Sequence, residues 1–78
     1  MPNDVRRRAI AAEVRAALAR HQKTQRDLAA VLGMAQPAAW ARLTANRSFR
    51  AEEIAAIAEW LDVSVSDLIP TSREAVAA

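Results

Sequence analysis

Apolar residues recur along this chain at steps of three and four, the spacing of a helix face turned toward a core. Ile10, Val14, Ala17 and Leu18 share one face of a helix expected from about Asp4 to Arg20. Leu28, Ala29, Val31 and Leu32 make a second stripe over residues 25–32, and Ala39, Arg42 and Leu43 share a face of a third helix starting near Gln36. Ile54, Ile57, Ala58 and Leu61 hold the i, i+3, i+4, i+7 spacing of a core helix over Ala51 to Leu61. Leu68 and Ile69 are the apolar residues of a short last helix that ends before Pro70. The pattern predicts an all-α, compact five-helix domain over residues 1–70, followed by a C-terminal tail at 71–78 in which Thr71 and Glu74 could start a further turn.

The polar residues between these stripes punctuate them. Asn3 or Asp4 can cap the first helix. Thr24 can cap the second, with Asp27 three residues on to close a capping box. Gly33 is the only glycine and ends that helix, because glycine takes the left-handed conformation without a Cβ penalty. Pro37 suits the first turn of the third helix, where a missing N–H costs nothing. Ser64 with Asp67 can cap the last helix.

The segment 24–43, TQRDLAAVLGMAQPAAWARL, holds the chemistry. Two short helices meet at a glycine turn, and the second carries Gln36, Pro37, Trp40, Ala41 and Thr44 away from or along the edge of its apolar face. That is the geometry of a helix-turn-helix. Gln25, Ala29, Gly33 and Ala39 follow at steps of four, four and six: Ala29 permits close helix approach, Gly33 makes the bend and Ala39 packs the second helix on the first.

At these residues the chain resembles the helix-turn-helix family of phage lambda repressor and Cro. GMAQPAAWARL is similar to the family's turn and recognition helix, and LDVSVSDLIP to its last helix. The resemblance covers roughly residues 10 to 70. It implies that Gln25 contacts the DNA backbone and braces Gln36, the first glutamine of the recognition helix, and that the loop after that helix follows the backbone. Three positions depart from the family's pattern: Ala35 replaces a side-chain cap, Arg42 stands where an apolar residue often packs, and Ala45 stands where glycine often ends the helix, so that Asn46 could take the left-handed turn instead. The Arg42 stem can lie on the core while its guanidinium reaches a phosphate or a carboxylate of the fourth helix.

Charge sharpens this picture. Net charge is only +2, but residues 1–50 carry ten Lys or Arg against three acids, net +7, and residues 51–78 carry one Arg against six acids, net −5. A basic half joined to a helix-turn-helix reads as a face for nucleic acid; for the first helix alone, a solvated charged surface explains the arginines equally well. The N-terminus of the second helix, with Lys23 and Arg26 beside it, offers unpaired N–H groups to a phosphate. Gln36 can bond an adenine through N6 and N7, or it is simply an exposed residue at a helix start. Trp40 either touches a thymine methyl or sugar, or covers a core that is short of volume, and the second reading stands slightly ahead. Pro37 and Ala41 could touch a thymine methyl. Thr44, Asn46, Arg47 and Arg50 are donors for phosphate oxygens, with Arg47 also able to reach a guanine, around a Phe49 that plugs the core.

Composition narrows the alternatives. Hydrophobic residues reach 53%, but alanine dominates them, which favours helix and leaves small contacts. With no cysteine there is no disulfide and no thiolate metal site, and His21 stands alone. No glycine-rich phosphate loop and no serine–histidine–carboxylate set marks an enzyme. No apolar run reaches the ~20 residues that span a membrane. Arg6 to Arg8 before alanines suggests a secretion signal, but Glu13, Arg15 and Arg20 interrupt it. The expectation is a cytoplasmic, cofactor-free regulator without a small-molecule ligand, in a bacterial cell or phage-infected host. It would bind double-stranded DNA through the major groove as a homodimer on half-sites ~10 bp apart or a multiple of that. The resemblance implies a Cro-like or lysogeny repressor that occludes a promoter. The alternative is an antitoxin or protein-interaction module on the same helical fold, to which the acidic second half would lend a surface.

Overall fold

The computed structural model describes residues 3–70, and the turn expected at 71–74 lies outside them. The chain folds into α1 (Asn3–Arg20), α2 (Gln25–Leu32), α3 (Gln36–Leu43), α4 (Ala51–Leu61) and α5 (Val65–Leu68), with no strand among the described residues. Because α1 already includes Asn3, neither Asn3 nor Asp4 is its cap; Asp4 sits in the first turn and pairs with Arg8 at 3.4 Å.

One core collects the stripes of all five helices. Val14, Ala17 and Leu18 of α1 meet Leu28 and Ala29 of α2, Ala39 and Leu43 of α3, Ile54, Ile57, Ala58 and Leu61 of α4, and Leu68 of α5. Val14, Leu28, Ile57 and Leu68 are the largest fully enclosed side chains, each worth about 1.5–3 kcal/mol of burial. Two stripe assignments shift. Ile10 is only half-buried while Ala11 is enclosed, and Val31 stands exposed, leaving Leu32 to pack at that edge. Phe49 and Trp60 pack on the rim of this core.

The helix ends show how one glycine serves a chain of several turns. After α1, α2, α3 and α4 the backbone enters the left-handed region at Gln22, Gly33, Ala45 and Asp62, with φ of 56°, 65°, 65° and 55°. Each time the following N–H reaches back to close the helix: Lys23 to the Leu18 carbonyl at 2.8 Å, Met34 to Ala29 at 3.0 Å, Asn46 to Ala41 at 2.8 Å and Val63 to Ala58 at 2.9 Å. This is the Schellman closure, which satisfies carbonyls the helix leaves open. The expectation that Asn46 would take the left-handed turn after α3 is corrected: Ala45 does, one residue earlier, because the Asn46 N–H must itself reach Ala41.

The capping box at α2 forms as expected. The Thr24 Oγ1 accepts from the Asp27 N–H at 3.1 Å, and the Asp27 carboxylate accepts from the Thr24 N–H at 2.9 Å. At α5 the Asp67 carboxylate accepts from the Ser64 N–H at 3.1 Å. Packing then places α3: it lies against both α1 and α2, while α4 packs on α2 and α5. Held from two sides, α3 turns its remaining face outward. No helix among the described residues is long and apolar enough to cross a membrane.

Candidate nucleic-acid interface

The outer face of α3 is built from residues whose neighbours prevent them from turning in. Ala39 and Leu43 are buried, and the arc that begins beside Leu43 carries Gln36, Pro37, Trp40 and Thr44, all exposed, with Ala41 half-buried at its far edge. At about 100° per residue, Trp40 lies between Gln36 and Thr44, in the middle of that arc. Trp40 is 52% exposed. The reading of Trp40 as a cover for the core is therefore corrected. The core closes with Leu28, Ile57 and Leu68, and the ring is left outside.

Four contacts fix how α3 is presented. Ala35 caps it without a side-chain bond, and Gln25 ties its first residue to α2 by donating Nε2–H to the Gln36 carbonyl at 3.3 Å. The two glutamines thus meet, but through the Gln36 backbone and not its amide, so the expected side-chain brace is replaced by a brace on the helix start. At the other end the Arg15 guanidinium donates to the Leu43 carbonyl, placing a cation where the helix dipole favours one. Along the chain Arg15 shows only as a charge that interrupts an apolar run; its one signal for this contact is position, next to Val14 and three residues before Leu18 on the buried stripe.

The third contact is an ion pair. Arg42 replaces an apolar packing residue, and its Nε donates to the Glu53 carboxylate at 2.9 Å while an Nη donates to the Ala38 carbonyl at 3.1 Å. The same Glu53 oxygen accepts from the Arg50 N–H at 2.9 Å and so starts α4. Burial pushes the Glu53 carboxyl up, but the Arg42 and Arg50 hydrogen bonds outweigh it and the net shift is downward. Of the two partners open to Arg42, the carboxylate of α4 is the one it takes.

The fourth contact is the exit turn. The N–H groups of Asn46 and Arg47 both donate to the Ala41 carbonyl, at 2.8 and 3.1 Å, which folds residues 44–47 back on α3. Here two expected donors are used internally. The Thr44 hydroxyl donates to the Trp40 carbonyl at 2.8 Å and accepts from the Asn46 amide at 3.2 Å. Arg47 and Arg50 are exposed and make no side-chain hydrogen bond among the described residues, as is also true of Arg26 at the start of α2. Lys23, beside that start, also lies over the Trp60 ring at 5.6 Å.

The fold adds a part of the site that the sequence left open. Arg6 and Arg7 of α1 line an open cleft of about 370 Å³ together with Ser48 and Phe49 of the loop after α3. The Arg7 Nε is buried without a hydrogen-bond partner among the described residues. These arginines, 40 residues away in sequence, border the loop that carries Arg47 and Arg50. His21 is exposed, and no cluster of three or more His, Asp or Glu among the described residues could hold a metal ion.

Compared with protein-family models, with curated proteins and with solved structures, the chain matches none of them.

Proposed function

We propose that this protein is a sequence-specific, double-stranded DNA-binding transcriptional regulator that lays α3 in the major groove. The observation that carries the reading is the presentation of α3. Two eight-residue helices meet across the Gly33 turn, the second is braced at its start by Gln25, at its side by the Arg42–Glu53 pair and at its end by Arg15, and it leaves Gln36, Pro37, Trp40 and Thr44 exposed. Rigid presentation of one helix face is what base-edge contact requires. Arg26, Arg47 and Arg50 are available for phosphates on either side.

In this reading Gln36 bonds an adenine, Arg26, Gln25, Arg47 and Arg50 hold the backbone, and Pro37, Trp40 and Ala41 supply apolar contact. The resemblance to the lambda repressor and Cro family supports a small phage-type or lysogeny repressor that occludes a promoter in the bacterial cytoplasm. One module makes few contacts, so a homodimer on an inverted repeat is expected. A selection from random duplex DNA at near-physiological salt tests this: enrichment of an inverted repeat supports it, and salt-sensitive binding without enrichment refutes sequence-specific reading.

A second reading, an antitoxin or protein-interaction module, is favoured by one feature. Hydrogen-bonding side chains on the α3 face are few, whereas α4 and α5 expose Glu52, Glu59 and Asp67. Capture of a basic protein partner through that acidic side, in the absence of operator binding, would favour it.

A further inference from the structure

Trp40 is the largest exposed apolar side chain of the described fold, and it occupies the centre of the α3 arc. Its neighbours on that arc are small or already engaged. Pro37 and Ala41 are low beside it. The Thr44 hydroxyl is tied to the Trp40 carbonyl and to Asn46. Gln36, one turn before it, is the one exposed amide on the arc. Hydrogen-bond readout from α3 therefore rests on a single side chain, and the feature standing highest is an indole ring.

Resting on the DNA-binding reading above, we infer that Trp40 is a specificity-determining residue that reads the 5-methyl group of thymine. In the major groove the apolar mark that distinguishes one base from the others is that methyl. A ring set between Gln36 and Thr44, with the low Pro37 and Ala41 beyond, can approach the groove floor without a longer neighbour standing off the duplex. Gln36 and Trp40 are separated by just over one helical turn, about 6 Å of rise, so the methyl lies within about two base-pair steps of the adenine that Gln36 bonds. A sugar contact fits less well, because it calls for a residue at the edge of the arc and Trp40 is at its middle.

The test replaces thymines of the selected duplex one at a time by deoxyuridine, which removes the methyl and keeps every hydrogen-bonding group. The wild-type chain should lose about fourfold in affinity at one position per half-site, the worth of one buried methyl. Trp40→Ala should bind the thymine and uracil duplexes alike at that position. Trp40→Gln, which keeps a side chain of some length but a polar head, should behave in the same way and guards against a variant too weak to titrate. Far-ultraviolet circular dichroism checks that both variants fold, as expected for an exposed position.

Uracil tolerated at every position, with an enriched operator and Gln36-dependent binding intact, overturns the role of Trp40 and leaves the DNA reading standing. A methyl dependence that persists in both Trp40 variants overturns it equally, since another residue would then read the methyl. Absence of any enriched operator removes the DNA reading and this inference together.

Discussion

Arg42 and Glu53 pair at 2.9 Å with only 11% of each side chain exposed, joining the helix that faces outward to the helix that carries the acidic half of the chain. Removing one partner leaves the other charge enclosed with only a backbone partner, the Arg50 N–H for Glu53 or the Ala38 carbonyl for Arg42. Arg42→Met should destabilise the fold by about 1–3 kcal/mol at neutral pH, and Arg42→Met combined with Glu53→Leu should recover much of that, as apolar replacement of a buried pair often does. Chemical denaturation of the single and double variants measures it; a double variant no more stable than Arg42→Met would show that the pair's value lies elsewhere.

The same pair sets a pH dependence. The Glu53 carboxyl is pushed up by burial and drawn further down by Arg42 and the Arg50 N–H, so its folded value lies below its unfolded one. A depressed carboxyl contributes stability that is present in full above the ordinary glutamate range and is lost as pH falls through the folded value. Asp27 acts in the same direction, lowered by the Thr24 N–H and hydroxyl of the capping box, with Lys23 and Arg26 adding to it. The stability difference between wild type and Glu53→Gln or Asp27→Asn should therefore be largest near neutrality and shrink on acidification. Denaturation midpoints between pH 7 and pH 3 follow it, and a constant difference would refute the linkage.

Ala45 takes φ of +65° after α3, a conformation that costs a residue with a Cβ roughly 1–2 kcal/mol. Ala45→Gly should stabilise the domain by about 0.5–1 kcal/mol, raising the melting temperature by a few degrees. Gly33 is the mirror case. A Cβ there would meet no atom within 4 Å, so Gly33→Ala should cost only the backbone penalty, about 1 kcal/mol, with no repacking of neighbours. Thermal unfolding of the two variants should give shifts of opposite sign.

Under the proposed DNA reading, Gln36→Ala should cost about 1–3 kcal/mol of binding and relax preference at one base position. Arg47→Ala and Arg50→Ala should each weaken binding across sequences and reduce the salt slope by about one unit where the contact is to phosphate alone. Titrations at several salt concentrations separate the two kinds of contact. Unchanged slopes in both arginine variants would remove the loop after α3 from the interface.

Five helices and most of their boundaries were legible because their causes are local. Ile54, Ile57, Ala58 and Leu61 repeat at helical spacing, Thr24 and Asp27 satisfy the first N–H groups of the helix they begin, and Gly33 permits a left-handed turn. The ends of α1 at Arg20 and α4 at Leu61 were legible too, but not the left-handed residues Gln22, Ala45 and Asp62 that close α1, α3 and α4. Neither Gln22 nor Ala45 favours positive φ and Asp62 only tolerates it, so the conformation follows from the reach of the next N–H to a carbonyl five residues back. In α1 the alanines lie on every side, so only Val14, Leu18 and the tertiary contact could show that Ala11 points inward and Ile10 does not.

For the site, local pattern determined that α3 follows a glycine turn and which residues share its outer arc. Tertiary structure alone decided what those residues are free to do. Trp40 belongs by hydrophobicity to a core and is outside because five helices close that core with smaller branched side chains. Thr44 and Asn46 are donors by composition and are engaged because the exit turn folds back on α3. Arg42 chose a carboxylate, Gln25 a backbone carbonyl and Lys23 a tryptophan ring, since each long side chain takes the partner that packing brings within reach. Helix formation depends on neighbours a turn away and can be read along the chain; the pairing of long polar side chains depends on distances between helices, which only their packing sets.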